Sequence, residues 1–180
     1  MARGGPRAGR AVRRRRPLDV QGVAPTDRLR RRIPCAAVPE PGPEITPESL
    51  RARVAGSLPA DLGVEPLEVT EERSTGRMIV DERHLHPGGL VHGGAWVALA
   101  DSVAAWQTYR HLPPGHDFTT VEMKLNVFAA GKPGDELFAT AEHLHAGRST
   151  HVVEVRVRCG ERLVANLIVT QMVLASPGRR

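Results

Sequence analysis

The stretch His84–Asp101, HLHPGGLVHGGAWVALAD, decides how the chain is read. Its second half is an apolar run that opens on His92-Gly93-Gly94 and is broken by a carboxylate, Asp101. An acid sunk in an apolar setting without a partner costs several kcal/mol, so its presence points to use. The run continues to Arg110 through Val103, Ala104, Ala105 and Trp106, leaving almost no polar face. A helix that is apolar nearly all round has to be wrapped by other elements. This segment, about 93–110, is read as a central helix.

From His116 onward the hydrophobic period is two. Val121, Met123, Leu125 and Val127 alternate with Glu122, Lys124 and Asn126, and Val153, Val155 and Val157 alternate with Glu154, Arg156 and Arg158. Turns at GKPGD, HAGRS and CGE separate four strands, expected as an antiparallel meander that is polar on one side. Upstream, Thr46 fits an N-cap and Pro47 the first helical position. That short helix is expected through LRARVAGSL to near Pro59, followed by strands around 63–70 and 77–81 joined by a polar EERSTG turn. The fold class is α+β, an antiparallel sheet wrapped around one long central helix.

The net charge of +5 is unevenly divided. Residues 1–45 hold eleven Arg against four acids, a balance of +7, whereas residues 46–180 hold fourteen Lys/Arg against sixteen acids, a balance of −2. The basic character belongs to the first segment, and a nucleic-acid-binding face on the domain itself is not expected. Residues 1–45, with Arg13–Arg16 and a Pro/Glu-rich end, lack any helical or strand period and are expected as a disordered tail. The domain is expected over 46–176, with a second tail at 177–180. No segment approaches the roughly 20 apolar residues that span a membrane, and Arg13–Arg16 are not followed by an apolar signal region. Cys35 and Cys159 form no disulfide framework. A cytoplasmic protein is expected.

The helix start is where chemistry is read. Gly93 and Gly94 place backbone N–H groups at a helix N-terminus, where negative charge is favoured and a ligand can approach closely. A carbonyl oxygen that becomes negative during addition is stabilised by such donors. Asp101 supplies a general base or a direct nucleophile, and its apolar setting is expected to raise its basicity. Gly93 and Asp101 lie about 12 Å apart along a helix axis. Either they serve different purposes, or a site combines one subunit's helix start with its partner's Asp101; the second reading is favoured and makes a symmetric dimer.

The segment HPGGLVHGGAWVALAD resembles the signature loop and helix of the hot-dog acyl-CoA thioesterases, of the PaaI-like and 4-hydroxybenzoyl-CoA thioesterase type. The likeness covers about residues 47–175. It implies hydrolysis of an acyl-CoA or acyl carrier protein thioester to acid and thiol, in a homodimer or a dimer of dimers. Carried over residue by residue, the resemblance implies that Gly93 donates to the thioester carbonyl, that His92 orients the loop, and that Asp101 of the partner subunit is base or nucleophile. Thr120 helps hold the attacking water. Gly147, Arg148 and Ser149 match a turn near the coenzyme A phosphates, where Arg148 can pair a phosphate. His86 stands where the family has Asn or Gln, and a neutral imidazole can still donate there. No cofactor, no metal and no membrane are expected, and a nucleic-acid partner is not expected.

Bland readings stand beside these. His84, His86 and His92 invite a zinc site, but nothing in the sequence fixes their geometry. His143, His145 and His151 read as polar strand-face residues. Trp96, Trp106, Tyr109 and Phe128 line a pocket or fill the core. Gly93-Gly94 can serve tight helix packing alone. The second function is a non-catalytic acyl-CoA sensor of the same fold whose basic tail contacts nucleic acid, although residues 1–44 carry no helix-turn-helix pattern. A dehydratase wants a different His/Asp arrangement.

Overall fold

Helix α3 (Gly93–His111) is the axis of the domain, and ten of its nineteen residues are buried. They include Trp96, Leu99, Val103 and Trp106, which form the core with the inner faces of the strands. The structure is a computed structural model that describes residues 45–175. The expected tails at 1–45 and 177–180 fall outside the described residues, apart from Ile45. Two short helices, α1 (Pro47–Val54) and α2 (Leu58–Asp61), precede strands β1 (Glu65–Val69) and β2 (Arg73–Ile79). After α3 come β3 (His116–Val127), β4 (Glu136–Ala146), β5 (Thr150–Cys159) and β6 (Arg162–Ala175). They form one antiparallel six-stranded sheet in the order β1-β2-β4-β5-β6-β3. No described helix is long and apolar enough to cross a membrane.

The sheet is polar on its outer face, as the alternation requires. Arg77 bridges Glu65 and Glu136, and Arg156 pairs with Glu142 and Glu154. The inner positions Leu137, Ala139, Ala141, Val153, Val155, Val157, Leu167 and Val169 are fully buried.

Four expectations need correction. The downstream strands are not one meander: β4, β5 and β6 are consecutive neighbours, but β3 crosses to the far edge beside β6, and β4 joins β2. The connection passes beneath the start of α3, where the Val91 N–H donates to Gly131 O and the Val80 N–H to Asp135 O. Turn residues mark where a strand ends without stating which strand it joins next. Second, the expected apolar face of β3 is not covered by α3: Val121, Met123, Val127 and the adjoining Phe128 are exposed. Third, Ser74-Thr75-Gly76 belong to β2 and not to a turn. Ser74 and Gly76 face inward: the Ser74 hydroxyl donates to Gln107 Oε1 at 2.7 Å, and a Cβ at Gly76 would meet the Trp106 ring at 2.6 Å. Fourth, the first helix stops at Val54, near Gly56 with its positive φ, and Pro59 lies inside a separate turn of helix that begins at Leu58. Its start is as expected: Thr46 caps it, in a reciprocal box with Ser49.

Of the histidines of β4 and β5, His145 is an exposed strand residue as expected, but His143 and His151 are not simple strand-face residues. His151 is buried, its Nδ1 lies 2.9 Å from His143 Nε2, and the His111 ring stands edge-on to His143 at 4.5 Å. His143 Nδ1 is buried without a hydrogen-bond partner. Burial, and then the neighbouring His111, His151 and His145, push His143 down to about 4 from its ordinary 6.5; burial also lowers His151. The unfolded chain therefore binds more protons in this window, and stability is complete above about 6.5 and lost as the pH falls toward about 4. A Tm series across that range is expected to fall for the wild type and to flatten for His143→Leu. An equally steep fall in the variant would remove the cluster as the cause.

Candidate active site

The chain enters α3 through a 3-10 turn (Glu82–His84) and a bridge between Leu85 and Val91. His84 is buried and uses both ring nitrogens: Nδ1 accepts from the Asp81 N–H, and Nε2 donates to Leu62 O, each at 2.9 Å. His86 Nδ1 accepts from the Gly88 N–H at 2.8 Å, and the His86 backbone N–H donates to Leu90 O, closing the loop. His92 caps the helix, its Nδ1 accepting from the Gly94 N–H at 2.8 Å. The three histidines thus have separate local roles. Among the described residues no three His, Cys, Asp or Glu side chains come together to hold a metal ion.

Capping leaves the two glycines unequal. The Gly94 N–H is taken by His92, whereas the Gly93 N–H, first in the helix, meets no acceptor among the described residues. A Cβ at Gly93 would find nothing within 4 Å, and its φ is not positive. Among the described residues neither packing nor backbone geometry demands glycine at 93, so tight helix packing within them does not explain it.

Two turns further along α3, Asp101 is half-buried, and the Thr120 hydroxyl donates to its Oδ1 at 3.3 Å. Thr120 lies on β3 next to a bulge, the register slipping between Thr120 and Glu122 so that Val121 is left unpaired. Bulges re-aim neighbouring side chains. Burial raises the Asp101 carboxyl above the usual aspartate range, and the Thr120 hydroxyl pulls it partly back; the expected gain in basicity is present. Behind Thr120 stands Gln171, whose Nε2 donates to Thr120 Oγ1 at 3.4 Å, while the Thr108 hydroxyl donates to Gln171 Oε1 at 2.5 Å. Sequence reading missed both. The available signal is that Gln171 falls in step with Leu167 and Val169 on the inward face of β6, where alternation calls for an apolar residue.

The turn Gly147-Arg148-Ser149 is closed by the Gly147 N–H on Thr150 O and tied to β6 by the Val173 N–H on Ser149 O, each at 2.9 Å. Val173 pairs with Phe118, two residues before Thr120, so the turn sits at the Thr120 end of the sheet. Arg148 is exposed. Gly93 and Asp101 occupy one unbroken helix, about 12 Å apart along its axis, so the chain does not bring them to one point. Of the four aromatics, Trp96 and Trp106 are core and Phe128 is exposed. Tyr109 packs edge-on against Phe118 and under Arg53, each at 4.8 Å. A groove of about 620 Å³ lined by Arg77, Phe138 and Arg158 lies on the outer face, at the opposite end of the strands from Thr120.

A single helix wrapped by an antiparallel sheet, with an unpartnered N–H at its start and a half-buried acid two turns on, places the chain among the hot-dog thioesterases. It belongs to the thioesterase superfamily, whose family model matches residues 88–166. The esterase PA1618 of Pseudomonas aeruginosa is 32% identical over 111 residues, 61% of this chain and 76% of that protein. The crystal structure of a mutant of it, described as a thioesterase, superposes with a TM-score of 0.68 over 73% of this chain and 94% of that one, at 28% identity. A 1,4-dihydroxy-2-naphthoyl-CoA hydrolase of Listeria monocytogenes is 30% identical over 100 residues, 56% of this chain and 80% of that protein. A thioesterase of Streptococcus pneumoniae solved with coenzyme A is 26% identical, with a TM-score of 0.58 over 63% of this chain and 87% of that one.

Because no atom of the described residues needs the space over Gly93, Gly93→Ala is expected to fold with an unchanged Tm and to lose thioester hydrolysis, as a methyl group blocks whatever approaches the N–H. Full activity in a folded Gly93→Ala variant would show that nothing approaches there.

Proposed function

We propose that the chain hydrolyses acyl-CoA thioesters to the free acid and coenzyme A. The observation that carries this reading is Asp101, a half-buried carboxylate of raised basicity bonded to Thr120, on the helix whose first N–H is unpartnered. Asp101 takes a proton from water as the oxygen adds to the acyl carbon. The carbonyl oxygen, now negative, is held by the Gly93 N–H. Collapse expels the thiolate, which takes up a proton, and the carboxylic acid is left. Burial favours Asp101 as base, and the Thr120 hydroxyl fixes the direction of its lone pairs. Direct attack by Asp101, through an acyl anhydride, is the other route open to the same residue.

Two subunits complete the site, since one helix keeps Gly93 and Asp101 about 12 Å apart. Two features support this. Strand β3 is an edge twelve residues long with exposed Val121, Met123 and Val127, and a long apolar edge calls for a partner. Along α3, Val97, Ala98, Asp101 and Ala105 form a half-open stripe. Pairing of two β3 edges sets each helix against the other chain. Coenzyme A as carrier is supported by the Streptococcus complex and by the Listeria hydrolase, and Arg148, exposed in its turn, is the residue proposed to pair its phosphates. Release of free thiol from a panel of aliphatic and aromatic acyl-CoAs identifies the acyl group.

Asp101→Asn keeps the shape of the side chain but removes its basicity. It is expected to lower kcat by about 10²–10⁴-fold with little change in KM, and to leave Tm unchanged or higher because a half-buried charge is gone. A folded variant that keeps more than about a tenth of kcat makes Asp101 structural. Mixing Gly93→Pro subunits, which lack the N–H, with Asp101→Asn subunits tests the shared site. Mixed dimers are expected to recover activity well above either parent; confirmed mixed dimers without recovery would rule that geometry out.

A further inference from the structure

The structure assigns to Gln171 the task of aiming the Thr120 hydroxyl at Asp101, with Thr108 fixing which end of the Gln171 amide faces Thr120. This rests on the reading of Asp101 given above. The geometry is a single chain of hydrogen bonds: Thr108 to Gln171 Oε1, Gln171 Nε2 to Thr120, and Thr120 to Asp101 Oδ1. Gln171 and Thr108 are completely buried, and Thr120 and Gln171 face each other in the β3–β6 register.

The direction of the chain follows from the donor inventory. An ionised carboxylate only accepts, so Thr120 spends its one proton on Asp101 and is left with lone pairs alone. Its other neighbour must therefore donate, which only the NH2 end of Gln171 does. The carbonyl end then faces Thr108, whose hydroxyl donates. A glutamine amide alone can present either end. Thr108 and Asp101, about two turns apart on the same face of α3, hold it in one orientation from its two ends.

The groups that face this chain from other elements are few. Within the chain, burial and Thr120 are what perturb Asp101. On β5 the cross-strand partner of Gln171 is His151, whose charged form burial disfavours. Removing Gln171 therefore frees the Thr120 proton to turn elsewhere. Asp101 then loses its one stabilising hydrogen bond and becomes harder to ionise.

The test uses Gln171→Met, close in length and without polar ends, beside Thr120→Val and the double variant, in the full-length protein. The rate readout is kcat and KM for acyl-CoA hydrolysis across pH. The second readout is the Asp101 side-chain carboxyl titration by carbon-13 NMR, which needs no catalysis. Gln171→Met is expected to lower kcat about 2- to 10-fold, the worth of one hydrogen bond, with KM unchanged. The acid limb of the rate profile and the Asp101 titration are both expected to move to higher pH. If Gln171 acts through Thr120, the double variant is no worse than Thr120→Val alone. Thr108→Val, a milder change, is expected to move both readouts the same way by less, and it serves if Gln171→Met does not fold. An unmoved Asp101 titration, or additive losses in the double variant, overturns the assignment. A fully active Asp101→Asn variant instead overturns the catalytic reading, while the titration still decides whether Gln171 aims Thr120.

Discussion

Helix α3 buries ten of its nineteen residues, Trp96, Leu99, Val103 and Trp106 among them, and a helix with so much apolar surface is unstable in water until something encloses it. The sheet exists to do this. Strands β2, β4, β5 and β6 present Met78, Leu137, Val153, Val155, Leu167 and Val169 to it, all fully buried, and Gly76 gives up a side chain so that Trp106 can lie against β2. Burial of large aliphatic and aromatic side chains contributes roughly 1.5–3 kcal/mol each, so most of the stability of the domain is concentrated at this one contact. The charged outer face, with its Arg77 and Arg156 pairs, adds little by comparison, because exposed ion pairs are worth at most about 1 kcal/mol.

The interior is not uniformly apolar. Ser74, Gln107, Thr108, His151 and Gln171 are buried along the C-terminal half of α3. Each has a named partner, as low-dielectric surroundings demand: Ser74 with Gln107, Thr108 with Gln171, His151 with His143. Polar pairs of this kind fix register, because a slip of one residue in β6 would turn Gln171 outward and leave Thr108 unpaired. The same residues lead to Asp101 through Thr120. Specification of the fold and support of the acid are therefore carried by one set of side chains.

The division of the site follows from helix geometry. An N-terminus offers free N–H groups only in its first turn, while a carboxylate gains basicity where the helix is enclosed, further along. One helix cannot place both at a single carbonyl carbon. In the proposed dimer a second helix removes the conflict, and the exposed β3 edge is the surface on which it can happen.

The sequence by itself determined the central helix, its Thr46-capped forerunner, the alternation of the later strands, the His92-Gly93 start and the isolated acid Asp101. These are legible because local chemistry sets them: period, capping residues, and the cost of a charge in an apolar run. It did not determine that β3 lies beside β6, that Ser74 and Gly76 are inside a strand, or that His143 and His151 point inward. It also gave no weight to Gln171 and Thr108, which look like ordinary strand and helix residues until register sets them opposite one another. Strand order, register and the pairing of buried polar atoms are long-range choices, decided by which faces fit around α3, and only the tertiary structure makes them.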